Sequence, residues 1–551
     1  MVSPRTARTR RARFMVGMGV SPDAPSPRGI QCNAVGGAMW GASRTQMEVP
    51  LSGVRAHISS HLPSWRALLA LGLLAAASVS CSKSSQDPAE RRRLSLKPCR
   101  LEGLATQAQC GTYEVFEDRA ARTGRKIPLR VVVVPALAAQ PQPDPLVLLA
   151  GGPGQAASRS TQVLMAVERI RRKRDIVLVD QRGTGDSNPL NCKTDSPEEG
   201  LSARLEEGKA AEEVRKCREG WDADVRHYTT PVAMDDLDEV REALGYEKLN
   251  LWGVSYGTRA ALVYMRQHPE RVRTAILDGV APMGLYLPLF APRDAQQALD
   301  RLLANCEADA ACTQAYPNLR PRTEALLTTL ETTPARTQVA HPRTGVLEEV
   351  VLSRRAFLAQ LFAQLYSPEM SSLVPLMLDR ATQGDWSPFV ALSVGLSENL
   401  GRTVSHGLYF AVVCAEDAPF YDEAALVRES QGTWFGPTMG REVLSVCADW
   451  PRGSLPQGYR EPVVSSVPTL LLSGELDPVT PPAWAEEAKR TLSNSLHVVV
   501  PGVGHNTIGA DCARTLMLDL LTQGSVEGLS SACGTNLTRP PFFTSFAGPV
   551  P

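Results

Sequence analysis

Leu249-Asn250-Leu251-Trp252-Gly253-Val254-Ser255-Tyr256-Gly257-Thr258 sets a serine between two glycines, after an apolar strand-like run and ahead of a helix-like one. A strand-to-helix turn this tight leaves no room for side chains beside the serine, and it pushes the hydroxyl out at the strand end. Gly-x-Ser-x-Gly alone also describes an ordinary glycine-flanked turn. The surroundings favour the sharper reading: residues 260–268 continue with helical periodicity and 273–277 read as the next strand.

A serine hydroxyl is a poor nucleophile at neutral pH and needs a base, which in turn needs an orienting acid. The C-terminal third supplies both at strand ends. Residues 467–480 form a short buried-type strand and then a turn carrying Asp477, and 496–505 form another strand and a glycine turn carrying His505. Strands this apolar fit a parallel sheet covered on both faces, which holds its ligands at the carboxyl ends of its strands. Ser255 is therefore assigned as nucleophile, His505 as general base and then acid, and Asp477 as orienter. Glu475 is a rival acid closer to its strand. His497 reads as a packed strand histidine and His268 as a helix C-terminal residue, while His227 and His406 lack a glycine turn.

An acyl-transfer site also needs donors for the developing oxyanion. The strand 145–150 runs into Gly151-Gly152-Pro153-Gly154, whose backbone N–H groups can approach a substrate oxygen without interference from side chains. The expected donors are the N–H of Tyr256 and one from Gly151 or Gly152. Taken alone, this stretch reads equally as a glycine-proline loop with no ligand.

Three motifs together carry a resemblance: Gly151-Gly152-Pro153-Gly154, then Asp180-Gln181-Arg182-Gly183-Thr184-Gly185-Asp186-Ser187, then Gly253-Val254-Ser255-Tyr256-Gly257-Thr258. The chain resembles the proline iminopeptidase and tripeptidyl aminopeptidase branch of the α/β-hydrolases, most of all the secreted tripeptidyl-aminopeptidase-like group. The likeness spans roughly residues 99–533 and is weakest in the middle. It implies an α/β fold with a mostly parallel central sheet, helices on both faces and an inserted, mainly helical cap. It implies a serine hydrolase of the aminopeptidase type acting on peptides, or an esterase acting on small esters with the same triad. Ala150 departs from the histidine that often precedes the glycines in proline iminopeptidases, which loosens the link to strict proline specificity. Arg182 is expected to hold its loop and not the substrate.

Composition agrees with an enzyme of this kind. Lys+Arg 58 balances Asp+Glu 58, so there is no basic footprint for nucleic acid. No internal repeat, metal-ligand spacing or cofactor motif is legible, and oligomeric state is not readable. The N-terminal end lies outside the enzyme. A positive flank at Arg66, the apolar run 67–79 and small residues before Cys81 form a signal-peptide pattern too short for a spanning helix. Cys81 resembles a bacterial lipoprotein attachment site, with Ser78 in place of the usual leucine, so either a cell-envelope lipoprotein or plain secretion is expected. Residues 1–46 are expected to be a non-native or disordered extension with translation starting at Met47, 47–80 the signal peptide and 81–97 a polar tether.

Of 12 cysteines, Cys32 and Cys81 fall in this part, and the even remainder suggests disulfides in an exported chain. Sequence neighbours suggest Cys99–Cys110, Cys192–Cys217, Cys306–Cys312, Cys414–Cys447 and Cys512–Cys533, although spacing does not fix connectivity. Strands 111–119 and 126–134 read as an opening hairpin. Hydrolase core is expected over 98–282 and 458–540, with the cap over 283–457, rich in helical patterns such as 295–306, 322–330 and 355–366. An aminopeptidase must hold a free α-ammonium, and a carboxylate in the cleft does this by charge pairing. Glu416, with Asp417 second, is the expected amine anchor; a solvated acidic pair is the competing reading.

Overall fold

The computed structural model describes residues 94–160, 164, 166–192, 201, 210–341, 344–393, 404–534 and 537–549. The expected extension, signal peptide and Cys81 lie outside the described residues. The tether expected over 81–97 is corrected at its end. Leu94 donates its N–H to the Ala243 carbonyl at 3.0 Å, and β1 (Lys97–Cys99) is the edge strand of the sheet.

The remaining strands of the main sheet are β2 (Ala108–Phe116), β3 (Lys126–Val134), β4 (Leu146–Leu149), β5 (Ile176–Val179), β6 (Leu249–Val254), β7 (Val272–Asp278), β10 (Thr469–Gly474) and β11 (Ser495–Val500). Their order is β1-β2-β3-β5-β4-β6-β7-β10-β11. The first three pair antiparallel as the opening hairpin and its edge, β3 joins β5 antiparallel, and β5, β4, β6, β7, β10 and β11 run parallel.

Two-residue periodicity sorts these strands into two packed faces. Val131, Val133, Val147, Leu149, Val177, Leu251, Ala275 and Leu277 pack in one apolar cluster with α2 (Thr230–Leu244) and α3 (Tyr256–Gln267). Val132, Val134, Leu146, Leu148, Ile176, Leu178, Trp252 and Ile276 pack in another with α11 (Asp511–Gln523). Burial of both faces explains why β4 and β5 are continuous apolar runs. The same side of the sheet as α2 and α3 also receives α1 (Ala210–Glu219) through Val214 and α10 (Pro482–Lys489) through Ala485 and Ala488.

The insertion divides in two, which corrects the single cap expected over 283–457. A third cluster is built from α4 (Ala291–Ala308), α5 (Leu319–Thr332), α6 (Arg354–Gln364), α7 (Val374–Thr382) and the small antiparallel hairpin β8 (Ala335–Ala340) and β9 (Leu347–Leu352). By contrast α8 (His406–Glu416) and α9 (Thr438–Cys447) bury Leu408, Val412, Val413, Val443 and Val446 in the core cluster beside α2 and α3. Helical periodicity announces an apolar face but not the layer that covers it. The C-terminal tail returns to the cap, where Phe542 is buried in its cluster and the Phe543 N–H donates to the Ser372 carbonyl at 3.1 Å.

All five neighbouring cysteine pairs are bridged. Cys414–Cys447 ties α8 to α9 across a separation of 33 residues. Closing a loop of that length restricts the unfolded chain, so Cys414→Ser with Cys447→Ser is expected to cost about 2–4 kcal/mol in chemical denaturation. A loss below about 0.5 kcal/mol would show that packing alone seats α8.

Candidate active site

Ser255 follows β6 with φ 57° and ψ −126°, a conformation that non-glycine residues rarely adopt and that costs about 1–3 kcal/mol. The flanking glycines make it possible. A Cβ on Gly253 would stand 2.4 Å from the Gly257 carbonyl oxygen, and one on Gly257 would stand 2.0 Å from the Leu149 carbonyl oxygen. The first turn of α3 therefore rests directly on the end of β4. The Ser255 N–H donates to the Asp278 carbonyl at 2.9 Å, and Thr258 Oγ1 donates to the Ser255 carbonyl at 2.6 Å while accepting from the Ala281 N–H at 2.7 Å.

The glycine turn after β4 lies against this elbow. A Cβ on Gly151 would come 3.1 Å from the Ser255 Cβ and 3.2 Å from the Val254 carbonyl oxygen. Gly152 holds φ +109°, which suits glycine, and the Gln155 N–H closes the turn on the Gly151 carbonyl at 3.2 Å. Tyr256 opens α3, so its N–H belongs to the unpaired first turn and the positive end of the helix dipole.

Asp477 and His505 are brought together from the ends of β10 and β11. The Asp477 carboxylate accepts from His505 Nδ1 at 2.9 and 3.0 Å, from the Val479 and Thr480 N–H groups at 2.8 Å each, and from Thr480 Oγ1 at 2.7 Å. Burial opposes charge on both side chains, yet their mutual attraction and hydrogen bonds win. The Asp477 pKa lies below the usual carboxylate range and that of His505 lies above the usual imidazole value. With Nδ1 committed to Asp477, Nε2 is the nitrogen left for proton exchange.

The imidazole sits against the strand end beside Ser255. Val254 pairs with Asp278 in register, so Gly279 adjoins Ser255, and a Cβ on Gly279 would lie 3.3 Å from His505 Cε1. The buried Asp278 carboxylate accepts from the Thr507 N–H at 3.0 Å and Oγ1 at 2.9 Å. Burial lifts its pKa to about 6 despite those bonds. From the cap side, the Tyr366 carbonyl accepts the His505 N–H at 2.8 Å, and the Tyr366 ring stands edge-on to the imidazole with centroids 5.2 Å apart.

Rival residues go elsewhere. Glu475 accepts from the Gly502 N–H at 3.0 Å and lies 3.6 Å from Arg301. His497 lies between Glu486 at 2.5 Å and Ser473 Oγ at 3.0 Å, an acid–histidine–serine row of its own, but Ser473 is fully buried inside β10 where no substrate reaches. His268 bonds Asp235 at 3.0 Å, His227 lies 3.6 Å from Asp224, and His406 opens α8. Arg182 holds its loop, giving two hydrogen bonds to Asp236 at 2.7 and 2.9 Å and one each to the Glu117 and His227 carbonyls.

Glu416 and Asp417 require a correction. Both are completely buried. Glu416 accepts from the Thr230 N–H at 2.6 Å, from Thr230 Oγ1 at 2.9 Å and from the Tyr459 hydroxyl. Asp417 pairs with Arg259 at 3.0 Å and with Arg460, and accepts the Leu287 N–H at 3.1 Å. Neither carboxylate faces open space, so the expected amine anchor does not fit this arrangement. Burial raises the Glu416 pKa, and Arg259 with the Tyr459 and Thr230 hydrogen bonds works against the rise.

Thr480, Asp278, Tyr366 and Thr230 carry little signal in the sequence. The position of Thr480 three residues after Asp477 is the one local signal, because an aspartate often bonds the backbone and hydroxyl of its own turn. The others meet the site only through tertiary packing.

Comparison with known proteins places this geometry. The chain matches the α/β hydrolase fold family model over residues 144–509. It is similar to the serine protease Hip1 of Mycobacterium tuberculosis (strain ATCC 25618 / H37Rv), with 24% identity over 524 residues that cover 87% of this chain and 99% of that protein. It is also similar to the tripeptidyl aminopeptidase of Streptomyces lividans, at 32% identity over 32% of this chain and 36% of that one. The proline iminopeptidase of Neisseria gonorrhoeae is 30% identical over 25% of this chain and 34% of its own length. With a strained serine elbow at the end of a parallel strand and a family match across about two thirds of its length, the chain belongs to the α/β hydrolase fold family.

Proposed function

We propose that this protein is a serine hydrolase of the aminopeptidase type, releasing short N-terminal fragments from peptides through an acyl-enzyme on Ser255. The observation that carries the reading is the His505–Asp477 contact at the strand ends beside the elbow of Ser255. The relatives named serine protease, tripeptidyl aminopeptidase and proline iminopeptidase support a peptide substrate.

In the reaction His505 Nε2 takes the Ser255 hydroxyl proton as Oγ attacks the scissile carbonyl, and the oxygen gains negative charge. The N–H of Tyr256 and that of Gly151 or Gly152 stabilise it, each donor being worth roughly 10²–10³ in rate. The imidazolium, held by Asp477, then protonates the leaving amine as the C–N bond breaks. Water attacks the resulting ester and gives a proton to His505, which passes it to Ser255 Oγ as the acyl C–O bond breaks; the N-terminal fragment leaves as an acid and ionises in solvent. The cap residue Tyr366, bonded to the histidine loop, lies where a lid excludes water and selects substrate by shape.

The five disulfides fit an oxidising compartment. We add to the reading export through the leader at 47–80, with lipid attachment at Cys81; mass measurement of the mature N-terminus tests it, and an unmodified residue 81 in the mature chain removes the anchor.

Peptide p-nitroanilides, free and N-blocked, test the exopeptidase reading. Blocking the amine is expected to reduce turnover about 10- to 100-fold, the effect of losing a charge-assisted contact. Equal turnover of both forms, with esters preferred, would favour an ester hydrolase. A fluorophosphonate is expected to label the protein, and Ser255→Ala to abolish the label.

The pH profile tests the base. His505 must be neutral to accept the proton, and its pKa is raised. kcat/KM is therefore expected to climb with pH through an apparent value above the ordinary imidazole value of about 6.5. Asp477→Asn removes the anion that raises it, so the limb should move to lower pH while kcat drops about 10⁴-fold. A limb that moved upward in this variant would count against the assignment.

A further inference from the structure

The buried carboxylate at the end of α8 does not reach a substrate, yet it is joined to the nucleophile helix. Acids at a helix C-terminus sit at the unfavourable end of the dipole, and Glu416 and Asp417 are two in succession. Two arginines offset them: Arg259 pairs with Asp417 from α3, and Arg460 donates to Asp417 and to the Glu416 carbonyl. Among the described residues Glu416 has no direct salt bridge, and it takes three donors of another kind. Two come from Thr230, the first residue of α2, whose N–H sits at the favourable end of that helix's dipole. The third is the Tyr459 hydroxyl.

The direction of the protons follows. With Glu416 ionised, Thr230 Oγ1 donates to its Oε2 and so accepts from the Tyr256 hydroxyl in their 2.6 Å contact. A continuous row runs from Tyr256 through Thr230 to Glu416, with every member fully or almost fully buried. Tyr256 is also the residue next to the strained serine. Fixing its phenol restricts the backbone N–H at the start of α3 where the elbow would otherwise relax.

From this we infer that Glu416 is a positioning residue, which through Thr230 and the Tyr256 hydroxyl holds the Tyr256 N–H in place to receive the oxyanion. The inference rests on the reading of Ser255 as nucleophile and of that N–H as a donor. It places the effect of Glu416 in the transition state and not in recognition of the substrate amine.

The experiment compares Glu416→Gln, Thr230→Val and Tyr256→Phe in the full chain, on a free-amine peptide anilide and on a small acetate ester. Each variant is expected to lower kcat about 10- to 100-fold on both substrates, the scale of a misplacement near 1 Å, with KM held within about threefold. Inhibition by a peptidyl boronic acid, which fills the oxyanion site, is expected to weaken by the same factor as kcat. The double variant Tyr256→Phe with Glu416→Gln is expected to be no slower than the slower single one, since both cut the same row. Thr230→Ser, which keeps both the hydroxyl and the N–H, is expected to recover most of the rate lost in Thr230→Val.

Two results overturn the inference while Ser255 still takes a fluorophosphonate: unchanged kcat in both Tyr256→Phe and Thr230→Val, or a loss confined to the free-amine substrate through KM. Tyr256→Phe removes a single oxygen and keeps the question open to measurement if Glu416→Gln does not fold. Absence of Ser255-dependent labelling in the unmodified enzyme overturns the underlying reading, and this inference with it.

Discussion

A backbone-on-backbone contact governs this molecule: Gly257, in the first turn of α3, lies so close to the Leu149 carbonyl that a Cβ would come within 2.0 Å of it. That approach lets α3 start immediately after β6, forces Ser255 into φ 57°, and brings the turn at Gly151 against the serine. Any side chain at 253 or 257 would push the helix off the sheet. The elbow is strained, so something must oppose its relaxation. Thr258 does so locally by bridging Ser255 and Ala281. The buried row through Thr230 to Glu416 does so from a helix far along the chain.

The other half of the site is assembled by parallel strand order. β10 and β11 are neighbours with β10 beside β7, so turns separated by 28 residues meet as Asp477 and His505. Their buried pair is stable because each charge is matched and the remaining oxygen positions accept from Thr480 and Val479. His497, Glu486 and Ser473 form a second row of this kind. The same side-chain types in hydrogen-bond contact have no catalytic prospect when the serine lies inside a strand with no glycine turn to expose it.

Much of this was legible in the residues. The strands declared themselves because a sheet buried on both faces needs runs such as Leu146–Leu149 and Ile176–Val179, and the elbow because only glycine tolerates its close approach. The disulfide partners were sequence neighbours, which a compact helical pair or hairpin brings together without long-range help. The insertion was harder. Helices within 406–447 are rich in apolar residues, as the cap helices are, but they pack with α2 and α3, so only tertiary packing assigns them to the core.

Local sterics and two-residue periodicity leave few alternatives for the fold class, for the glycine-flanked turn at Ser255 and for the strand-end turns of Asp477 and His505, so these are readable from the residues alone. Only tertiary packing shows what surrounds Glu416. An acidic pair after a cysteine looks the same in sequence whether it faces solvent, an ammonium group or a buried threonine. The outcome depends on the donors that α2, α3 and residues 459–460 bring to it from distant parts of the chain, and on complete burial of both carboxylates among them.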